Sequence, residues 1–153
     1  MKKEKALSIT RKMCSKGEKC CSDIRKKLDS FELSEEDQKI IISSLIKDKF
    51  IDEKRYSKFF ASDKFKFNKW GKIKISYMLK EKGIKEENIN FAIEKIDVEE
   101  YRQTLYNILK NKLKNIKVEG PYEQKARLMR FGQSRGFEAK LIYEISDELL
   151  TNK

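Results

Sequence analysis

Six lysines stand between residues 64 and 80 with no acid among them: Lys64, Lys66, Lys69, Lys72, Lys74 and Lys80, flanked by Asp63 and Glu81. Phe65, Phe67, Trp70 and Tyr77 are interleaved with them. Amines at this density neutralise phosphates, and aromatic faces stack bases. At helical spacing, Lys69, Lys72 and Lys80 share a face, with Ser76 between the last two. The same run also fits a solvated outer face over a core that takes in Phe59, Phe60, Ile73, Ile75 and Trp70. A second basic cluster is Lys125, Arg127, Arg130 and Arg135. Its guanidinium groups can hold carboxylate or phosphate through two parallel hydrogen bonds, or pair with Glu123 or Glu138. A third group is Asp52, Glu53 and Arg55. Asp52 is placed to cap a helix, and Arg55 to pair with an acid of the same chain or contact a partner.

Little else could carry a reaction. The chain has no His, which removes the commonest general base and metal ligand. Cys14, Cys20 and Cys21 lack the fourth soft ligand of a structural zinc and are odd in number, so they read as free thiols in a reducing cytoplasm. The paired acids Glu35-Glu36, Glu86-Glu87 and Glu99-Glu100 fall in first helical turns, where they complement the helix dipole. There is no Gly-rich phosphate loop and no Ser or Cys with a His. The expectation is a protein with no catalytic residues, no metal and no cofactor.

Composition narrows the class. The 153 residues hold 36 Lys and Arg against 25 Asp and Glu, a net charge of +11, which favours a polyanionic partner or an acidic groove. Hydrophobic residues are 39% and charged residues 40% of the chain. That is too polar for a membrane span, which needs roughly 18 consecutive apolar residues. Nine Phe, six Tyr and a Trp argue for a folded chain. The stretch Met1 to Gly17 is basic without an apolar core and does not read as a secretory signal. A cytoplasmic monomer is expected.

The elements that must position these residues are helices. One Pro and six Gly leave helix interiors undisturbed, and apolar residues recur at spacings of three and four. Ser34 to Asp37 reads as a capping box, Asp97 as a helix start, Gly120-Pro121 as a first turn, and Gly83 and Gly136 as helix ends.

The pattern also repeats. Placing Leu33 on Ile84 and Ile84 on Phe137, shifts of 51 and 53, aligns Ile24 with Ile75 and Leu128, Leu28 with Leu79 and Gly132, Ile41 with Ala92 and Ile145, and Leu45 with Ile96 and Leu149. Each copy reads as three helices, with repeats at 1–51, 52–96 and 97–153. Predicted helices lie near 4–16, 20–30, 34–48, 52–66, 70–82, 85–96, 97–116, 120–134 and 137–150. The middle copy is the most basic, with 12 basic against 7 acidic residues. Small three-helix units are marginal alone and must stack. The expected fold is all-α: three tandem three-helix repeats in an elongated, curved, right-handed or similar helical array.

Three stretches carry a family resemblance. Phe50-Ile-Asp52-Glu-Lys-Arg55-Tyr56, then Trp70-Gly71-Lys-Ile73-Lys74 through Leu79 to Lys82-Gly83-Ile84, resembles the central signature of RecX regulatory proteins. Arg130-Phe131-Gly-Gln-Ser-Arg135-Gly136-Phe137 resembles that family's third-repeat motif. Cys14-Ser15-Lys-Gly-Glu18, followed by Asp23-Ile24-Arg25 and Leu28, resembles its first repeat. The resemblance spans nearly the whole chain. It implies an all-helical protein of tandem three-helix repeats that lies in the groove of the RecA recombinase filament. Such a protein modulates, mostly by inhibition, ATP hydrolysis, filament extension and strand exchange in DNA repair and recombination, and it also binds single- and double-stranded DNA. Arg55, Lys64, Lys66, Lys69, Lys72, Lys74, Arg127, Arg130 and Arg135 are the expected partner-binding residues. The chain departs from the family pattern at Gly132, where a larger apolar residue is expected and Phe131 is the candidate to fill the gap. It departs again at Ser134, where a second basic residue often precedes the equivalent of Arg135. A helix-turn-helix-like DNA-binding protein with no RecA role, and a scaffold whose charge is incidental, are the competing readings.

Overall fold

The computed structural model describes residues 2–151, and these are all-helical. Nine helices follow in order among the described residues: α1 (Lys2–Lys16), α2 (Cys21–Asp29), α3 (Glu35–Lys47), α4 (Glu53–Asn68), α5 (Lys72–Glu81), α6 (Glu86–Glu94), α7 (Val98–Asn115), α8 (Pro121–Ser134) and α9 (Ala139–Thr151). The side chains read as caps make the bonds that start helices. Ser34 Oγ accepts from the Asp37 amide at 3.1 Å, Asp52 Oδ1 from the Arg55 amide at 3.0 Å, and Asp97 Oδ2 from the Glu100 amide at 2.8 Å. Gly83, with φ of 79°, and Gly136, with φ of 89°, close α5 and α8 in the left-handed region.

The aligned repeat columns are core, except that Leu33 is half-buried where Ile84 and Phe137 are buried. Ile24, Ile75 and Leu128 are fully buried, as are Leu28 and Leu79, and Ile41, Leu45, Ala92, Ile96, Ile145 and Leu149 are buried too. Gly132 does not leave a hole. Ile142 of α9 occupies the space, and an added Cβ at Gly132 would meet Ile142 Cδ1 and Cγ1 at 2.8 Å. The missing side chain is therefore what lets α9 approach α8, while the neighbouring Phe131 stays half-buried.

By packing, the helices divide into two compact units. The first holds residues 1–60 and 79–92, the second 61–78 and 93–153. The periodicity of three helices and the packing units do not coincide, because the units part within α4, within α5 and within α6. In the first unit, Ala6, Ile24, Leu28, Ile41, Ile42, Leu45 and Ile51 form a core with Leu7, Met13, Phe31, Leu33 and Phe50 packed against it. Asp23 accepts from Lys82 Nζ at 3.0 Å and from the Cys20 amide at 3.2 Å. In the second unit, Phe65, Tyr101 and Phe137 bring their rings together, with Tyr101 at 5.7 Å from Phe65 and 5.1 Å from Phe137.

Candidate functional site

The lysine run spans the end of α4, a short turn and α5. Lys69 lies in that turn, not on α5, and has a left-handed backbone with φ of 56°. The face expected to join Lys69, Lys72 and Lys80 is therefore not formed. Lys69 Nζ donates instead to the Lys66 carbonyl at 2.8 Å, tying down the end of α4. Lys64 and Lys74 both stand over the Trp70 ring, at 5.3 and 4.6 Å from its centroid. Trp70 is half-buried and Lys66 exposed. Lys72 lies over the buried Tyr101 ring at 4.7 Å. Such cation-on-ring contacts hold the amines against the ring faces. Two residues expected in the core are on the surface: Phe59 is 51% exposed and Ile73 55%. Helix phase explains Ile73, because α5 starts at Lys72 and buries Ile75 and Leu79, leaving Ile73 and Tyr77 on the opposite side.

The late start of α5 has a cause far away in sequence. A helix N-terminus needs partners for its first amides, and Gly71 offers no side chain to cap one. Its own amide donates to the Arg135 carbonyl at 2.7 Å, and the Ile73 amide donates to the Gly136 carbonyl at 2.9 Å. Between them, the Lys72 amide donates to Tyr101 Oη at 2.9 Å, and that hydroxyl donates in turn to Glu138 Oε1. Burial, then the bond to Glu138, pushes the Tyr101 phenol far above its ordinary value, so it stays a donor. Backbone packs on backbone here. An added Cβ on Gly71 would lie 2.5 Å from the Phe137 nitrogen, and one on Gly136 would lie 2.7 Å from the Lys74 nitrogen. The Trp70–Lys74 stretch and the Arg130–Phe137 stretch, remote in sequence, form one surface.

The arginine cluster separates into two places. Lys125 pairs with Asp147 and lies over the Tyr143 ring at 3.2 Å from its centroid. Arg127 and Arg130 both reach Glu123, at 3.7 and 4.0 Å. Glu138, the other acid considered for them, is engaged by Tyr101. Arg135 stands over the Phe131 ring at 5.1 Å, and Lys112 from α7 at 5.0 Å. Lys112, Arg127, Arg130 and Phe131 line a depression of about 260 Å³. Arg55, in the first unit, is a structural tie. Its Nε donates to Glu18 Oε2 at 2.6 Å and its Nη2 to the Lys49 carbonyl at 3.2 Å, joining the α1–α2 loop to the α3–α4 turn. Pairing with Glu18 raises the Arg55 pKa.

The three cysteines are free thiols. Burial, with Glu53 nearby, pushes Cys21 up to about 11, so it is protonated near neutral pH. Among the described residues no group of three His, Cys, Asp or Glu could hold a metal ion, and no helix is long and apolar enough to cross a membrane.

Sequence reasoning missed Tyr101 and Lys112, and gave Glu138 the arginines as partners where the structure gives it Tyr101. Tyr101 carried a signal, since it falls in the α7 stripe with Leu105 and Leu109, and a buried phenol needs a hydrogen-bond partner. Nothing in the spacing marks Glu138 as that partner, or Lys112 as a neighbour of Phe131.

Comparison with known proteins agrees with this architecture. Residues 52–93 match the family model described as RecX, second three-helix domain, and residues 99–145 match RecX, third three-helix domain. The chain is 30% identical to the regulatory protein RecX of Clostridium acetobutylicum over 97% of its own length and 69% of that protein's. The chain belongs to the RecX family. It is also 23% identical to the regulatory protein RecX of Leuconostoc mesenteroides, over 96% of this chain but only 55% of that one, about half its length. A solved regulatory protein RecX superposes with a TM-score of 0.86 at 21% identity, covering 95% of this chain and 73% of that one. RecX from Lactobacillus salivarius superposes equally well, with a TM-score of 0.86 at 17% identity, covering 98% of this chain and 97% of that one. The two structures establish the RecX fold. The sequence match places this chain among regulatory proteins.

Proposed function

We propose that this RecX-family chain regulates the RecA recombinase. On this reading it is a cytoplasmic, non-enzymatic monomer built on repeats at 1–51, 52–96 and 97–153. It binds the RecA–DNA filament and lowers ATP hydrolysis, filament extension and strand exchange. The observation that carries the reading is the single surface made by α5 and the α8–α9 turn, where cations, aromatics and exposed apolar side chains occur together.

A surface meant only for phosphate has no use for an exposed isoleucine. Ile73 and Tyr77, 55% and 60% exposed, stand one helical turn apart on α5. Protein interfaces are built around such apolar and aromatic anchors inside a polar rim. Lys66 and Lys69 would supply that rim and suit an acidic partner surface, while Lys64, Lys72 and Lys74 are held against rings. The filament offers both protein and phosphate, and the +11 charge suits it.

The test is RecA ATPase on single-stranded DNA with this chain added at micromolar concentration and salt varied. Inhibition that weakens between about 50 and 200 mM salt is expected. Unchanged ATPase overturns the reading. Tight, sequence-selective binding to duplex DNA without RecA would replace it with a helix-turn-helix-like function.

A further inference from the structure

We propose that the pocket at the C-terminal end of α7 is a site for a small amphiphilic anion, a monocarboxylate with an aliphatic body. It lies within the second unit and does not depend on the filament reading. Neither of its lysines belongs to the basic clusters read in the sequence.

One face of α7 builds most of the pocket. Tyr106, Lys110, Leu113 and Lys114 recur at spacings of four, three and one, so they line the same side of the helix. Ile116 caps that helix, and Leu149 reaches the pocket from α9. The apolar lining is thus Leu113, Ile116 and Leu149, the first two half-buried and the third buried. Gln124 of α8 completes the wall. Its Nε2 donates to the Val118 carbonyl at 3.3 Å, which holds the α7–α8 loop beside the pocket and leaves the side-chain carbonyl and second amide hydrogen for a ligand. The space is about 560 Å³, within the roughly 300–1,000 Å³ that small-molecule sites occupy.

The charge of the ligand follows from the lysines. Among the described residues no acid lines the pocket, and neither Lys110 nor Lys114 is in an ion pair. Lys110 approaches only the Tyr106 ring, at 6.0 Å from its centroid. Like charges one helical turn apart repel, and an anion set between them relieves this. The three aliphatic side chains call for an apolar body beside that anion. Lysines act as point charges and make no demand for the forked geometry that arginines bring to phosphate, so one carboxylate suffices. A nucleic-acid strand would lay sugar and phosphate against Leu113, Ile116 and Leu149 and bury no apolar surface there. A docked helix would need an apolar stripe running over several turns, and the apolar lining here is three residues bounded by lysines and Gln124.

The probe is decanoate, added to the full chain below its micelle-forming concentration. Isothermal titration calorimetry reads affinity and stoichiometry, and the amide chemical shifts of Leu113, Ile116 and Leu149 locate the site. Saturable binding of one decanoate per chain is expected, with those amides shifting first. Decanol has the body without the charge, and acetate the charge without the body. Each should bind at least about tenfold more weakly than decanoate. Lys110→Gln/Lys114→Gln should weaken decanoate binding about tenfold. Lys117→Gln/Lys140→Gln removes the same charge from exposed positions of the same unit and should leave it within about twofold. Circular dichroism checks that each variant keeps its fold. Absent binding, binding without saturation, shifts confined to other residues, equal affinity for decanol, or equal losses for the two pairs would each overturn the site. So would a helical Leu/Glu peptide that shifts these amides where decanoate does not, because the face would then belong to a protein partner. RecA ATPase plays no part in the readout, so the two readings fail separately.

Discussion

The amide of Gly71 donates to the carbonyl of Arg135 at 2.7 Å, and this bond joins the middle repeat's basic run to the third repeat's turn. Two glycines make it possible. Gly71 stands where a Cβ would meet the Phe137 nitrogen at 2.5 Å, and Gly136 has φ of 89° with no room for one beside Lys74.

Gly71→Ala should therefore destabilise the chain by about 1–3 kcal/mol, because the atoms it meets are backbone and cannot swing aside. Urea denaturation measures this. Equal stability of variant and parent would show that the α8–α9 turn does not rest on α5 in solution.

Gly132→Ala should cost a similar amount, about 1–3 kcal/mol, through its clash with Ile142. The Ile142→Val substitution removes one of the crowding atoms. Denaturation of the single and double variants should give a double-variant loss smaller than the sum of the two single losses.

Tyr101→Phe keeps the ring and removes the hydroxyl that takes the Lys72 amide. Leaving that part-buried donor without its partner should cost about 1–3 kcal/mol. Amide hydrogen exchange should quicken first at Lys72, where the acceptor is removed. Unchanged exchange there would dissociate Tyr101 from the start of α5.

The pH response of the first unit turns on Asp23. Burial pushes its carboxyl up, but hydrogen bonds from Lys82 and the Cys20 amide outweigh this and hold it below its ordinary value of 3.8. A carboxyl depressed by folding stabilises fully above its unfolded value, and that contribution is lost as pH falls through the folded value. Lys82→Met should thus lower stability by about 1 kcal/mol at neutral pH. Denaturation near pH 7 and near pH 3 should show the gap between variant and parent narrowing in acid.

Ile73→Ser and Tyr77→Ser alter exposed side chains, so stability should change by no more than about 0.5 kcal/mol. If α5 supplies the apolar anchors to RecA, the two together should raise the concentration needed for half-inhibition of RecA ATPase at least about tenfold. Undiminished inhibition would move the docking surface elsewhere.

Helices, repeats and most of the core were legible in the sequence because burial at a period of 3.6 leaves a mark every turn. Ile24, Ile75 and Leu128 show it, each fully buried at an aligned position. Ile73 was misread because residues two apart on a helix lie roughly 200° apart, so it cannot share the buried face of Ile75. Where α5 begins is set by Arg135, Gly136 and Tyr101, whose hydrogen bonds no local pattern announces. Gly132 looked like a defect because the atom filling its place belongs to the next helix. The site residues were legible as charge but not as geometry. Arg55 and Lys125 have their acids within the chain, Arg127 and Arg130 share one, and Lys112 became relevant only when α7 packed on α8.

Trp70 is the one tryptophan of the chain, and two lysine ammonium groups stand within 5.3 Å of its ring. Indole emission shifts with the electric field around it, so this ring is a built-in optical probe. Any polyanion that draws Lys64 or Lys74 away, or any partner that shields them from water, changes the colour or yield of its light without a dye being attached.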